Sequence, residues 1–190
     1  SQPSARVLVV TDPGVRRAGL PDGPLAALAA AGVEASVFDG ISGNPRDLEC
    51  LAAAEAGRAV GADVVVGIGG GSPIDAAKTA AVLLTNDGSP QDWEYPAQPP
   101  RAPLPIVAVP TTAGTGAEVT FYAVVTDTAR KFKMSLFDTR IAPRVALVDP
   151  ALTMTMPPAV TASTGMDALT HAVEAFTGNL AHPITDALSK

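Results

Sequence analysis

The sequence has little cysteine and no long apolar run, and each shortage excludes a class of protein. Its single cysteine, Cys50, cannot form an internal disulfide, which fits a reducing compartment. No apolar run reaches the roughly 18 residues that a membrane helix needs, and the first residues lack the charged-then-apolar pattern of a secretion signal. We therefore expect no membrane association and a cytoplasmic location.

Positive charge and aromatic side chains are also scarce. The 13 lysine and arginine residues are outnumbered by 19 acidic residues, giving a net charge of −6. Without a basic stripe to neutralise phosphates, we expect no nucleic-acid partner. Aromatic residues make up 4% of the chain, so the core must consist of Val, Leu, Ile and many Ala. At 190 residues, of which 47% are hydrophobic, the chain can form one full domain and part of a second.

A glycine-rich turn between a predicted strand and a predicted helix is the most informative stretch. The β-branched run at 63–66 predicts a buried strand, and the glycines Gly69–Gly71 come after it. Ser72 is expected to cap the next helix, with Pro73 at its first helical position and Asp75 three residues beyond the cap. Backbone N–H groups and the positive end of a helix then meet at one point, which indicates a phosphate or nucleotide site. A tight connection without a ligand is the alternative.

Strand and helix patterns alternate along the first 150 residues. Strands are predicted at 6–11, 34–38, 63–68, 104–109 and 145–150, and helices at 24–31, 46–60 and 72–84. Short links between them predict a parallel sheet covered on both faces, which is a Rossmann-like doubly wound α/β domain. Further predictions are a turn at 12–14, two strands at 119–126 and 131–137, and an inner helix face formed by Leu48, Leu51 and Ala59.

A second candidate ligand loop follows the strand at 104–109. Its sequence, 110–116, combines threonines and glycines, and it lies where strands of such sheets end and ligands bind. A plain polar loop is the alternative. Lys133, which lies in an alternating strand pattern, is by itself typical of a solvated side chain.

The pattern changes to helix after residue 156, so we predict domains at 1–156 and 157–190. Met166, Leu169, Val173 and Phe176 recur at helical spacing and predict an apolar face. Asp167 and His171 lie one turn apart on another face, where a carboxylate and an imidazole can chelate one divalent metal ion. A surface ion pair is the alternative.

Three motifs stand in order in the sequence. They are Gly69-Gly70-Gly71-Ser72-Pro73-x-Asp75-x-x-Lys78, Pro110-Thr111-Thr112-Ala113-Gly114-Thr115 and Gly165-Met166-Asp167-Ala168-Leu169-Thr170-His171-Ala172-x-Glu174. With them, nearly the whole chain resembles the iron-containing (group III) alcohol dehydrogenase family. The resemblance implies a nucleotide-binding α/β domain, an all-helical metal-binding domain and catalysis in the cleft between them. It also implies interconversion of an alcohol and an aldehyde or ketone.

The resemblance implies NAD as the cofactor. The glycine turn would hold its pyrophosphate, Lys133 would lie near its ribose, and Asn44 would lie near its adenosine half. Asp12, with Asp39 as the rival, would accept hydrogen bonds from the adenine ribose and repel the 2′-phosphate of NADP. The implied cofactor-binding set is Asp12, Asn44, Gly69, Gly70, Gly71, Ser72, Asp75, Thr111, Thr112, Thr115 and Lys133.

The resemblance also implies that Asp167 and His171 are catalytic and are two of four ligands for Fe²⁺, sometimes Zn²⁺. Such a metal acts as a Lewis acid on the substrate oxygen while hydride passes to or from the nicotinamide. The other two family ligands are histidines beyond residue 190, and His182 matches neither of them. We therefore expect an N-terminal fragment that is inactive alone, from a family whose members form homo-oligomers.

Two alternatives to this function stay open. A non-catalytic nucleotide-binding module would share the glycine turn and need no complete metal site. Other members of the superfamily, such as glycerol dehydrogenases and maleylacetate reductases, share the sheet and the turn as well. The small alcohol or carbonyl substrate is therefore not fixed by the sequence.

Overall fold

A parallel five-stranded sheet forms the centre of the fold in the computed structural model, which describes residues 5–179 and 181–190. Its strands are β1 (Arg6–Val10), β2 (Glu34–Phe38), β3 (Val64–Gly69), β4 (Ile106–Pro110) and β7 (Val145–Ala146), in the order β2-β1-β3-β4-β7. Strands β5 (Tyr122–Asp127) and β6 (Phe132–Phe137) form a separate antiparallel hairpin. The α-helices of the described residues are α1 (Pro13–Arg17), α2 (Asp22–Ala30), α3 (Asp47–Val60), α4 (Gly71–Leu83), α5 (Pro158–Thr177) and α6 (Pro183–Leu188).

Helices cover both faces of the parallel sheet, as the alternating pattern predicts. Leu8 and Val10 of β1 belong to the buried cluster that includes the inner residues of α3 and α4. Val7 and Val9, which alternate with them, pack in a second cluster with Leu25 and other residues of α2. Because successive strand residues point to opposite faces, an apolar run in β1 serves both layers.

The strand order creates a crevice at the carboxyl edge of the sheet. The chain leaves β1 for β2 on one side and later returns to place β3 on the other side of β1. The connections after β1 and β3 therefore diverge, and ligands bind at such a point in open α/β sheets. Asp12 follows β1 and the glycine turn follows β3, so both predicted cofactor elements lie at this crevice.

The β5–β6 hairpin packs on α4. Ala123, Val125, Met134 and Leu136 are buried in the same cluster as the alanines of α4. The alternate residues Tyr122 and Val124 are partly exposed on the other face. The two strands predicted around residues 127–129 are therefore confirmed, and they lie outside the parallel sheet.

Two predictions of local structure are wrong. Residues 12–14 start a helix instead of a turn, because Asp12 caps α1 by accepting hydrogen bonds from the N–H groups of Gly14 and Val15 at 2.7 and 2.9 Å. Aspartate followed by proline favours a helix start as well as a turn. The last core strand is only Val145–Ala146, since Asp149 caps a 3₁₀ helix at Pro150–Thr153.

The inner face of α3 is also different from the predicted one. Leu48 is 63% exposed and Ala59 is exposed, whereas Leu51 is half-buried. Apart from Asp47 at the start of the helix, the buried residues are small, namely Cys50, Ala53, Ala54 and Gly57. A Cβ on Gly57 would approach Leu8 and Leu84 side chains at 3.0 to 3.1 Å. The helix therefore lies too close to its neighbours for leucines to point inward.

Cys50 is a packed thiol, as its Ala-rich surroundings predict. It is fully buried, and burial raises the pKa of the thiol well above its usual range, with the charge of Glu49 adding to the effect. Because the thiolate is the reactive form, we expect Ellman's reagent to leave Cys50 almost unlabelled in the native protein and to label it fully in denaturant. Rapid labelling without denaturant would contradict this burial.

Within residues 5–179 and 181–190, no helix has the length and apolar character needed to cross a membrane.

Candidate functional site

The turn between β3 and α4 needs glycine for its conformation. Gly69 has φ +151°, a value that other residues rarely adopt, and a Cβ there would lie 2.6 Å from Cγ of Pro73. Helix α4 is capped by Gly70, which provides no side-chain hydrogen bond. The predicted Ser72 cap is therefore wrong, and Pro73 is the third helical residue instead of the first. The first turn of α4 has no side-chain cap, which leaves its end open to a ligand.

The threonine loop after β4 packs against this turn. The N–H of Thr111 donates to the carbonyl oxygen of Gly69 at 2.9 Å. A Cβ on Gly70 would lie 3.2 Å from the Thr112 side chain, and one on Gly71 would lie 3.2 Å from Thr115. The two ligand loops of the sequence thus form one surface. Oγ1 of Thr112 is buried and lacks a hydrogen-bond partner among the described residues.

Two cavities meet above this surface. The larger, of about 950 Å³, extends from Asp12 and Arg17 across Gly70 and Thr112 to Thr164. The smaller, of about 540 Å³, contains Asp75 and Lys133 on one side and Asp167 with His171 on another. Asn44, Gly71, Ser72 and Thr115 line both. An elongated ligand that crosses the glycine turn can therefore occupy both cavities.

Hydrogen bonds connect Lys133 to the glycine turn. Its Nζ donates to Oδ1 of Asn44 at 2.7 Å, and the N–H of Asn44 donates to Oγ of Ser72 at 3.1 Å. Asn44 has a left-handed conformation, with φ +56°, which asparagine tolerates better than most residues. Lys133 lines the smaller cavity, and its contact with a cofactor ribose stays a prediction.

Asp167 and His171 face the smaller cavity from α5. Nε2 of His171 lies 4.0 Å from Oδ1 of Asp167, and Nδ1 lies 3.2 Å from the carbonyl oxygen of Gly114. A carbonyl that holds one ring nitrogen orients the other toward a metal. The pair is about half exposed. No third His, Cys, Asp or Glu of the described residues lies close enough to complete a metal site.

Sequence comparison gives the family. The sequence model described as iron-containing alcohol dehydrogenase matches residues 1–150, and the model of the family's C-terminal domain matches residues 161–190. The chain belongs to the iron-containing alcohol dehydrogenase family. The family recognition is confirmed, whereas the domain boundary at 156/157 stays a prediction.

Curated relatives in this family include alcohol dehydrogenase 4 of Saccharomyces cerevisiae (strain YJM789), which is 39% identical over 182 residues and covers 96% of this chain. Choline dehydrogenase of Bacillus subtilis (strain 168) is 41% identical over 190 residues and covers 97% of the chain. The 1,3-propanediol dehydrogenase of Klebsiella pneumoniae is 41% identical over 184 residues and covers 96% of the chain. These alignments include 48%, 47% and 48% of the relatives, so the chain spans about half their length.

Solved structures of the family share the fold. A 1,3-propanediol oxidoreductase superposes with a TM-score of 0.92 at 41% identity, covering 97% of this chain and 48% of its own. Sulfoacetaldehyde reductase from Bifidobacterium kashiwanohense in complex with NAD⁺ superposes with a TM-score of 0.87 at 37% identity, covering 98% and 49%. The predicted Rossmann-like α/β fold is thus confirmed.

The structure brings most of the implied cofactor residues of this family member to the two cavities. Asp12 lies in the wall of the larger cavity, although its Oδ1 already accepts two backbone hydrogen bonds. Its rival Asp39 lines neither cavity. Thr111 also lines the larger cavity, whereas Gly69 lines neither cavity and contacts the wall through the hydrogen bond described above. Their contact with a cofactor stays a prediction.

Asp75 has a different environment from the one that the sequence predicts. Its Oδ2 accepts a hydrogen bond from the N–H of Val124 at 3.1 Å, and its Oδ1 lies 3.6 Å from Nζ of Lys78. Burial raises the pKa of the Asp75 carboxyl to about 6, and the Lys78 cation partly opposes that rise. Burial likewise lowers the pKa of Lys78. Asp75 therefore contacts the hairpin first, and a direct cofactor contact stays a prediction.

Several wall residues were missed by the sequence reasoning. Ser42 and Arg17 line the larger cavity, and Tyr122 and Val124 line the smaller one. Ser42 comes from a loop, Arg17 from the end of α1, and Tyr122 and Val124 from the hairpin, and no motif marks any of them. Lys78 had a usable signal, because a lysine within an Ala-rich buried helix needs polar partners.

Proposed function

We propose that this protein is a metal-dependent, NAD-linked oxidoreductase that interconverts a small alcohol and the corresponding aldehyde or ketone. The observation that carries the proposal is that the Asp167–His171 pair and the glycine turn open on the same cavity of about 540 Å³. Since hydride transfer requires a substrate next to the nicotinamide, a metal-binding pair beside a dinucleotide cradle has the required arrangement.

The cavity walls suit a dinucleotide. Ser42 and Thr112 line the larger cavity, and their hydroxyl oxygens are buried without partners among the described residues. Buried hydroxyl groups normally make hydrogen bonds, and ribose and pyrophosphate oxygens could provide them. The open N-terminal turn of α4 favours the negative pyrophosphate. The reductase relative that was solved with NAD⁺ supports the same assignment.

NAD is proposed in preference to NADP. Asp12 places a carboxylate in the larger cavity, where the adenosine half would lie. A carboxylate near the ribose repels a 2′-phosphate. Arg17, which carries the opposite charge to Asp12, lines the same cavity. The ratio of the NAD and NADP dissociation constants therefore measures this preference directly.

Asp167 and His171 would hold the metal, with Fe²⁺ proposed and Zn²⁺ as the alternative. A carboxylate oxygen and an imidazole nitrogen suit either ion. When bound, the metal would polarise the substrate oxygen as a Lewis acid, and the nicotinamide would exchange hydride with the substrate carbon. Gly114 orients the imidazole through its carbonyl oxygen. Catalytic metals usually have at least three protein ligands, so further ligands are needed from outside the described residues.

Replacing Thr112 with valine tests the cofactor assignment. The change keeps the shape of the side chain and removes the hydroxyl that has no partner, so we expect NAD to bind about 5- to 10-fold more weakly while the thermal stability stays the same. Calorimetric titration of the full-length protein measures this. Thr177→Val, on α5 and outside both cavities, is the matched control. Equal affinity in both variants would contradict the assignment.

A non-catalytic nucleotide-binding module is the second candidate, because the described residues contain no third metal ligand. Assays of the full-length protein with Fe²⁺, NAD and short alcohols or diols separate the two. Turnover that a chelator abolishes supports the dehydrogenase, whereas NAD binding without bound metal supports the module. The relatives include an alcohol dehydrogenase and a sulfoacetaldehyde reductase. We therefore propose a small alcohol or carbonyl compound as the substrate and no specific one. We further propose that the protein is cytoplasmic, forms a homo-oligomer and has no nucleic-acid or membrane partner.

A further inference from the structure

A fully buried lysine in α4 contacts the hairpin. Lys78 has no exposed side-chain surface, and its Nζ donates hydrogen bonds to the carbonyl oxygen of Tyr122 at 2.7 Å and to Oγ1 of Thr120 at 3.1 Å. Asp75, one turn earlier, accepts from the N–H of Val124. A buried cation is costly unless it is paired and hydrogen-bonded. The surroundings of Lys78 meet both conditions, since Oδ1 of Asp75 lies 3.6 Å from its Nζ and the Tyr122 carbonyl and the Thr120 hydroxyl accept its hydrogen bonds.

These two side chains take the place of a neighbouring strand. Backbone groups of alternate residues in a strand point to the same side, and the carbonyl of Tyr122 and the N–H of Val124 point away from β6. Lys78 supplies the donor and Asp75 supplies the acceptor that a third strand would have offered. A further backbone group on this edge of β5, the N–H of Thr126, donates to the carbonyl oxygen of Pro45 at 2.7 Å.

The strand held in this way forms a wall of the smaller cavity. Tyr122, Val124 and Thr126 line that cavity, whereas Ala123 and Val125 are buried in the core. Thr126 is paired in register with Lys133 of β6. From Lys133, hydrogen bonds lead through Asn44 to Ser72, in the first turn of α4. These contacts surround the cavity. Helix α4 takes part twice, through Ser72 toward Asn44 and through Asp75 and Lys78 toward β5.

We propose that Asp75 and Lys78 are positioning residues that fix the distance between the hairpin wall, including Lys133, and the glycine turn. This role is exerted through the backbone of β5 and is separate from any contact that Asp75 makes with a ligand in the cavity that it lines. The consequence for cofactor binding rests on the proposed function, whereas the attachment of β5 to α4 does not. Loss of the pair would let the wall move away from the turn while the parallel sheet stays intact.

The double variant Asp75→Ala/Lys78→Met tests the proposal in the full-length protein. It removes both contacts to β5 and leaves no unpaired buried charge. Without NAD, we expect hydrogen exchange of the amides in residues 122–126 to be about tenfold faster, and exchange in β1 and β3 to be unchanged. We also expect the dissociation constant for NAD to rise about tenfold.

Two further variants make the test specific. Asp75→Asn/Lys78→Met keeps an oxygen for the N–H of Val124 and also leaves no unpaired buried charge, so exchange of the Val124 amide should stay within about threefold of the wild type; faster exchange would overturn the role given to that oxygen, even if the Ala/Met variant does not fold. Asp63→Asn is the control, since Asp63 also accepts from a backbone N–H, that of Arg6, far from the cavities. It should change neither readout.

The outcomes separate this proposal from the proposed function. Unchanged exchange of β5 in the Ala/Met variant overturns the positioning role, whatever happens to NAD. Faster exchange with unchanged NAD affinity overturns the link to the cofactor. A wild-type protein that binds no NAD overturns the proposed function, while the exchange measurements still decide whether α4 holds β5.

Discussion

Replacing His171 with alanine is expected to lower the metal content of the full-length protein at least tenfold and the NAD-linked turnover at least a hundredfold. The variant loses an imidazole whose Nδ1 is oriented by Gly114 and whose Nε2 faces Asp167. NAD affinity should change less than threefold, because the cradle is formed by other residues. Elemental analysis, steady-state kinetics and calorimetric titration measure the three quantities.

The chain offers a matched control for this change. His182 precedes α6, and its Nδ1 accepts a hydrogen bond from the N–H of Ile184. His182→Ala also removes an imidazole, yet it lines neither cavity and should leave metal content and turnover nearly unchanged. Equal losses in both variants would show that the effect is not specific to the proposed metal site. Full metal content in His171→Ala would reject His171 as a ligand.

Replacing Gly114 with alanine should separate the threonine loop from α5. Gly114 has φ +130°, and a Cβ there would overlap the backbone carbonyl oxygen of Thr164 and approach Ala168 at 3.3 Å. Backbone atoms cannot rotate away, so the loop or the helix must shift, and His171 shifts with it. We expect a loss of about 2–4 kcal/mol in unfolding free energy together with weaker metal binding. Chemical denaturation and metal titration measure both effects.

Gly165→Ala is the matched control on the opposite side of the same contact. Gly165 lies within α5, and a Cβ there would meet nothing within 4 Å. Because alanine is the better helix former, we expect a stabilisation of up to about 1 kcal/mol. If Gly114→Ala were as stable as Gly165→Ala and bound metal normally, the contact between the loop and α5 would have no role in the site.

The sequence predicts the fold well because the period of the apolar residues reports the layers directly. Runs such as 7–10 and 64–66 serve two covered faces, so their strands and their parallel pairing follow from the pattern. The errors lie where the same residue types suit two local structures. Asp12 with Pro13 starts a helix, and Asp149 with Pro150 ends β7 early, since both pairs also occur in turns.

The candidate site is predictable only where a motif carries it. The glycine turn, the threonine loop and the spacing of Asp167 and His171 are visible in the sequence, whereas the environment of Asp75 is not. Its partner Val124 is 49 residues away, and hydrogen bonds to a backbone N–H leave no trace in the identity of the donor residue. Leu48 shows the same limit for packing, because only the assembled layers reveal that α3 lies close enough to exclude leucine.

Outward backbone groups on both edges of the hairpin have partners elsewhere in the chain. On β5, Lys78 satisfies the carbonyl oxygen of Tyr122, and Asp75 and Pro45 satisfy the N–H groups of Val124 and Thr126. On β6, the N–H of Tyr95 donates to the carbonyl oxygen of Ser135, and the Gln98 side chain donates to that of Phe137. Open strand edges are templates for another chain. At these positions the hairpin therefore offers no free backbone group to an added strand from another chain.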